Sequence, residues 1–180
     1  MFVSDLNPNR VMGIDPGLTR CGFACIDAAT PTKLKALTMG VIRTPPTTPL
    51  PQRLAMLRDE LAALIAEYRP GVVAVERVFF QVNVRTAMST GQASGLALAE
   101  AASAGCDVVQ YTPTEVKSTV AGWGAAGKEA VQRMVQARLG LAVLPSPADA
   151  ADAAALALCH LARAPMNASV ARAAATGVRR

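Results

Sequence analysis

The run Gly71-Val72-Val73-Ala74-Val75-Glu76 most constrains what this chain folds into. Its apolar residues are continuous rather than alternating, so a strand built from them needs cover on both faces. Such a strand belongs in the middle of a sheet with helices on either side. It ends on an acid, and a buried carboxylate is costly unless something pairs with it. A second run ends the same way: Val11-Met12-Gly13-Ile14 climbs to Asp15, and Pro16-Gly17 stops the strand at once.

The neighbouring segments supply the rest of the architecture. Residues 20–27 read as a second strand and 33–43 as a third, separated by the Thr30-Pro31-Thr32 break. Strands at such short spacing predict an antiparallel meander. Thr44-Pro45-Pro46-Thr47-Thr48-Pro49 is a stiff linker. After it Leu54, Leu57, Leu61, Leu64 and Ile65 recur at helical spacing, with Pro51 in the first turn and Pro70 as the stop. Residues 77–86 read as a loop and about 87–103 as a long helix. On that helix Gly91, Gly95, Ala99 and Ser103 form a small-residue ridge, open to the sheet or to the same helix of a second subunit. Residues 107–111 make a fifth strand, and helices follow near 113–120, 127–138 and 148–163. The order predicts an α/β domain, a five-stranded mixed sheet flanked by helices in the ribonuclease H-like arrangement. Its core spans about 10–163, and 164–180 reads as a flexible basic tail.

At 180 residues the chain is long enough for one domain with a good core. The cysteines Cys21, Cys25, Cys106 and Cys159 contain no CxxC pair, which argues against zinc. On a strand Cys21 and Cys25 would stand roughly 13 Å apart, too far for a disulfide. All four suit small core residues in a reducing compartment. No basic-then-apolar leader and no apolar run of membrane-spanning length is evident, so the expected location is cytoplasmic. The net charge of +5 favours a polyanionic partner.

Four acids stand out by position. Asp15 and Glu76 end strands, and Asp149 and Asp152 lie three apart near the start of the last helix, on one face. The alanines Ala148, Ala150, Ala151, Ala153 and Ala154 let that helix lie close to a sheet. If the two strands are neighbours, all four acids can meet. Four carboxylates in one pocket repel and raise one another's pKa values. Divalent cations with a taste for hard oxygen ligands resolve that, and two of them about 4 Å apart can clamp a phosphodiester for hydrolysis. Taken singly, the acids have plainer readings. Asp149 and Asp152 equally suit first-turn acids facing the helix dipole, and Asp15 equally suits a turn-forming residue before Pro-Gly. His160 lies eight residues after Asp152, roughly 12 Å along a helix, beyond reach of a shared metal. Trp123, between two glycines, reads as a packed hydrophobe.

Gly13-Ile14-Asp15-Pro16-Gly17, Val75-Glu76-Arg77-Val78-Phe79, Gly91-Gln92-Ala93, Val116-Lys117 and Ala148-Asp149-Ala150-Ala151-Asp152-Ala153 together resemble the RuvC family of bacterial Holliday junction resolvases. The resemblance runs in order from about 10 to 163. It implies a homodimer that binds four-way junction DNA and makes two symmetric nicks, in recombination and repair, beside the RuvA–RuvB branch-migration complex. It implies Mg2+, two ions per site, with Mn2+ able to substitute, held by Asp15, Glu76, Asp149 and Asp152. It gives Lys117 a catalytic role, and Lys117, Lys128, Arg85 and Phe79 DNA contacts, with Phe79 stacking on a base at the opened crossover. Phe80 competes with Phe79 for that place. The family often carries Leu and Arg where this chain has Thr90 and Ser94. Arg163, Arg172, Arg179 and Arg180 either add nonspecific attraction to DNA or keep the tail soluble.

Overall fold

The structure is a computed structural model that describes residues 6–30, 32–78 and 84–177, with side chains from 87 in the second helix and up to 164 in the last. In chain order the elements are β1 (Asn7–Asp15), β2 (Arg20–Thr30), β3 (Lys33–Arg43), α1 (Leu50–Tyr68), β4 (Pro70–Glu76), α2 (Val84–Ser103), β5 (Asp107–Tyr111), α3 (Pro113–Ala121), α4 (Lys128–Leu139) and α5 (Ala148–Gly177). The sheet order is β3-β2-β1-β4-β5. The meander β1–β2–β3 is antiparallel, and β1–β4 and β4–β5 are parallel. The mixed five-stranded sheet expected from the sequence is therefore present, with β1 and β4 side by side at its centre.

Alternation along the central strands sorts residues between two layers. Met12, Ile14, Val73 and Val75 pack with Leu57, Leu61, Ile65, Ala93 and Ala97 of α1 and α2. Val11 and Ala74 face the other way, into a core made with α3, α4 and α5. Strand side chains repeat every two residues, so Asp15 follows Val11 and Glu76 follows Ala74 onto the α5 side.

Helix α1 ends just before Pro70, as expected, while α2 and α5 run longer than expected. Helix α1 stops because Arg69 takes a left-handed conformation (φ 47°), its N–H returning to the Ile65 carbonyl at 2.9 Å. Pro70 disfavours helix at the residue before it and itself begins β4. Helix α2 starts at Val84, three residues before the expected start, and so takes the last three residues of the segment read as loop. Helix α5 continues to Gly177 rather than ending at 163.

Contact between α5 and the sheet is backbone on backbone. A Cβ on Gly13 would stand 1.9 Å from the Ala153 carbonyl oxygen, and one on Gly22 would stand 2.0 Å from that of Asp149. Opposite these glycines Ala150, Ala151, Ala153, Ala154 and Ala157 are buried. The ridge on α2 behaves differently. Nothing lies within 4 Å of a Cβ built on Gly91 or Gly95, and the inner face is Ala93, Ala97 and Ala101. The sheet does not claim that ridge.

Gly13→Ala is expected to destabilise the protein by about 1–3 kcal/mol, the range for overpacking a close contact. Gly91→Ala, where space is open, is expected to hold or raise monomer stability by about 0.4–1 kcal/mol. Denaturant midpoints of the two variants check the contrast.

Candidate active site

The register of the central pair sets the first two acids. Ile14 pairs with Val75 across β1 and β4, so Asp15 and Glu76 come one step later on neighbouring strands. Both strands point the same way, so both acids stand at the carboxyl edge of the sheet. Asp15 also pairs with Gly22 of β2, and Glu76 with Tyr111 of β5. The two carboxyl groups lie close enough that each shifts the other's titration.

Helix α5 delivers Asp152. Its first residues sit over Gly22 and Gly13, which places the acids of its opening turns above the strand ends. Asp15, Glu76 and Asp152 line one cleft of about 320 Å³ together with Lys117 and Lys128. The cleft wall is apolar, formed by Pro113, Val116, Val131, Ala155 and Leu156. Asp149 does not line it. Its Oδ2 accepts from Arg20 Nε at 2.9 Å and Nη2 at 2.5 Å.

Two short helices bring the lysines. A capping box starts α3: Thr112 Oγ1 accepts from the Glu115 N–H at 3.1 Å, and the Thr112 N–H donates to Glu115 Oε2 at 2.9 Å. Arg163 of α5 pairs with Glu115 at 3.4 Å and lies 5.5 Å from the Tyr111 ring centroid. These contacts tie α3, and with it Lys117, to α5. Lys128 is the first residue of α4. A cation at a helix N-terminus opposes the dipole. Asp152, 3.6 Å away, compensates it.

Burial drives the electrostatics. It is the main reason that the Asp15 carboxyl is pushed up to about 8, and the nearby Glu76, Asp152 and Asp149 add to it. Burial also raises Glu76, against the pull of the Asp15 carboxyl and of Lys128 and Lys117. Asp152 is raised by burial too, and Lys128 opposes the shift. Burial and the neighbouring acids therefore favour the protonated form of Asp15 at neutral pH. A buried set of oxygen donors that cannot all ionise together suits a hard divalent cation. Nitrogen and sulfur donors stand elsewhere. The His160 Nδ1 bonds the Tyr111 hydroxyl at 2.9 Å, and the four cysteines are buried and free. Among the described residues no three His, Cys, Asp or Glu side chains form a closed metal-holding group. Asp149 remains on Arg20, outside the cleft.

Other expectations met mixed outcomes. Phe79 and Phe80 lie outside the described residues, and Arg85 has only its backbone described, in the first turn of α2. Trp123 is not packed; it is 58% exposed, on the loop between α3 and α4. Arg163 is engaged with Glu115 and Tyr111 rather than free for DNA or solvation. Ser94 is buried, so position 94 faces the core here. Among the described residues no helix is long and apolar enough to cross a membrane. Sequence reasoning missed Gly13 and Gly22 as the seat of α5, and Arg20 as the partner of Asp149. Thr112-Pro113-Thr114-Glu115 carried a readable capping-box signal.

The raised Asp15 carboxyl makes metal-free stability depend on pH. Its unfolded value is about 3.9 and its folded value about 8. A group raised on folding favours the fold below its unfolded value, and that contribution is lost as the pH climbs through the folded value. In chelator, the wild-type protein should lose stability between about pH 4 and pH 8. Asp15→Asn should remove much of that loss, and be the more stable form at high pH. Denaturation midpoints across the range check this.

Comparison with known proteins matches the geometry. The family pattern of crossover junction endodeoxyribonuclease RuvC covers residues 11–160. The crossover junction endodeoxyribonuclease RuvC of Mycobacterium avium (strain 104) is 50% identical over 166 residues, 92% of this chain and 88% of the relative. In structure, T. thermophilus RuvC in complex with a Holliday junction substrate superposes with a TM-score of 0.83 at 37% identity, covering 88% of this chain and 96% of the other. The yeast mitochondrial Holliday junction resolvase Ydc2 shares the fold alone, at a TM-score of 0.65 and 16% identity, over 89% of this chain and 81% of that one. The chain belongs to the RuvC family of crossover junction endodeoxyribonucleases.

Proposed function

We propose that this protein is a structure-specific endonuclease that resolves four-way DNA junctions by paired symmetric nicks, through metal-dependent phosphodiester hydrolysis. The observation that carries the reading is the cleft in which Asp15, Glu76 and Asp152 stand half-buried beside Lys117 and Lys128. The T. thermophilus relative, which was solved with a Holliday junction substrate, supports the substrate class.

Asp15, Glu76, Asp152 and Asp149 would hold Mg2+, two ions per site, with Mn2+ as a substitute. Divalent cations supply there the activation of the attacking water and stabilisation of the leaving oxygen. The chain's own groups do the rest. Lys117 and Lys128 draw the strand in by its phosphates and offset charge that develops on the phosphoryl oxygens. The apolar wall from Val116 to Leu156 excludes bulk water, which strengthens each of these interactions. Phe79 stacks on a base at the crossover, a contact worth about 1–3 kcal/mol, and Arg85 meets the backbone nearby.

Two symmetric nicks require two sites. The open ridge Gly91-Gly95-Ala99 on α2, with Met88 61% exposed beside it, suits close packing against the same helix of a second subunit. In the cell the dimer would act in the cytoplasm alongside RuvA–RuvB.

Asp15→Asn and Glu76→Gln are expected to keep junction binding and to lose nicking by at least about 100-fold, since metal-ion catalysis supplies several kcal/mol. The assay compares a synthetic four-way junction, linear duplex and an RNA–DNA hybrid, in Mg2+, in Ca2+ and without metal. Wild-type turnover in either variant would sink the metal assignment. Preferential cutting of the hybrid would replace the junction by another substrate.

A further inference from the structure

Asp149 is held outside the cleft by a cation that the chain itself supplies. Arg20 opens β2 and Asp149 lies in the first turn of α5. Two nitrogens of one guanidinium, Nε at 2.9 Å and Nη2 at 2.5 Å, converge on a single carboxylate oxygen. The arrangement is anchored by backbone, because Gly22, two residues along β2, lies directly beneath the Asp149 carbonyl. The pair is half in water, with side-chain exposures of 40% and 28%. Exposed pairs of this kind contribute little to folding. Stability does not account for a guanidinium fixed at the edge of an acidic cleft.

Competition does account for it. A cation that takes up Asp149 brings a second positive charge to a carboxylate whose Oδ2 already holds the guanidinium, and the two repel. A displaced guanidinium needs an anion, and its planar fork matches a phosphate. We infer that Arg20 is a positioning residue that keeps Asp149 off the cleft in the free protein, yields it to a divalent cation, and then takes a phosphate of the bound DNA. The inference rests on the reading of the acids as metal ligands. Metal and DNA then favour the same arrangement, so each tightens the other.

The test is metal binding without turnover. Wild type, Arg20→Gln, Arg20→Lys and Asp15→Asn are titrated with Mn2+ alone, and free ion is counted by electron paramagnetic resonance. Arg20→Gln is expected to bind Mn2+ at least about fivefold more tightly than wild type, the lower end of ordinary coupling between linked sites. Arg20→Lys, which keeps the charge without the fork, falls between them. The gain that Ca2+ gives to four-way junction binding, measured by fluorescence anisotropy, is expected to shrink in Arg20→Gln. Circular dichroism checks the fold, and Arg20→Lys carries the comparison if Arg20→Gln does not fold. Equal or weaker Mn2+ binding by Arg20→Gln, while Asp15→Asn loses it, overturns the role of Arg20 alone. Wild-type Mn2+ binding by Asp15→Asn overturns the acidic cleft as a metal site, and this inference with it.

Discussion

The seating of one helix on two glycines organises this molecule. Where α5 crosses the sheet, the Ala153 and Asp149 carbonyls occupy the space that side chains at Gly13 and Gly22 would need. Alanines along the helix complete the fit. Carboxylates from a helix reach carboxylates at strand ends only because the two backbones approach so closely. A bulkier residue on either surface would lift the helix and open the cleft before touching any acid. Packing and chemistry are thus one constraint in this fold.

The same closeness creates an electrostatic cost. Asp15, Glu76 and Asp152 lose water on being brought together, and burial is the largest influence on each of them. The chain offsets part of that with its own cations: Lys128 on Asp152, and Arg20 on Asp149. Neither cation removes the strain on Asp15, which retains a proton well above the usual carboxylate range. A site that is content without metal would bind it weakly. This one is left under-neutralised at its most buried position.

Much of this was legible in the residues. The continuous run to Glu76 fixes a covered central strand, and the Asp15-Pro16-Gly17 stop places a second acid at a strand tip. Spacing of three put Asp149 and Asp152 on one face, and the alanines announced a close helix. That Asp152 enters the cleft while Asp149 turns to Arg20 was not legible. It depends on how far along β2 the helix N-terminus lands, which is a tertiary fact. The length of α5 escaped for another reason. The stretch beyond 163 has no core pattern, yet it is rich in alanine, the strongest intrinsic helix former. Trp123 misled because a large hydrophobe between glycines ordinarily marks a packed turn.

That tryptophan is the sole one in the chain. It sits on a loop held at both ends: Gly122 caps α3 through the Ser118 carbonyl, and Ala126 donates to the Trp123 carbonyl at 3.2 Å. The helices on either side carry Lys117 and Lys128. Trp123 is more than half exposed in the folded state, so its emission will shift less on unfolding than that of a buried indole would. The protein's ultraviolet fluorescence is therefore a local signal from the link between its two lysine-bearing helices, and a poor thermometer of the fold as a whole.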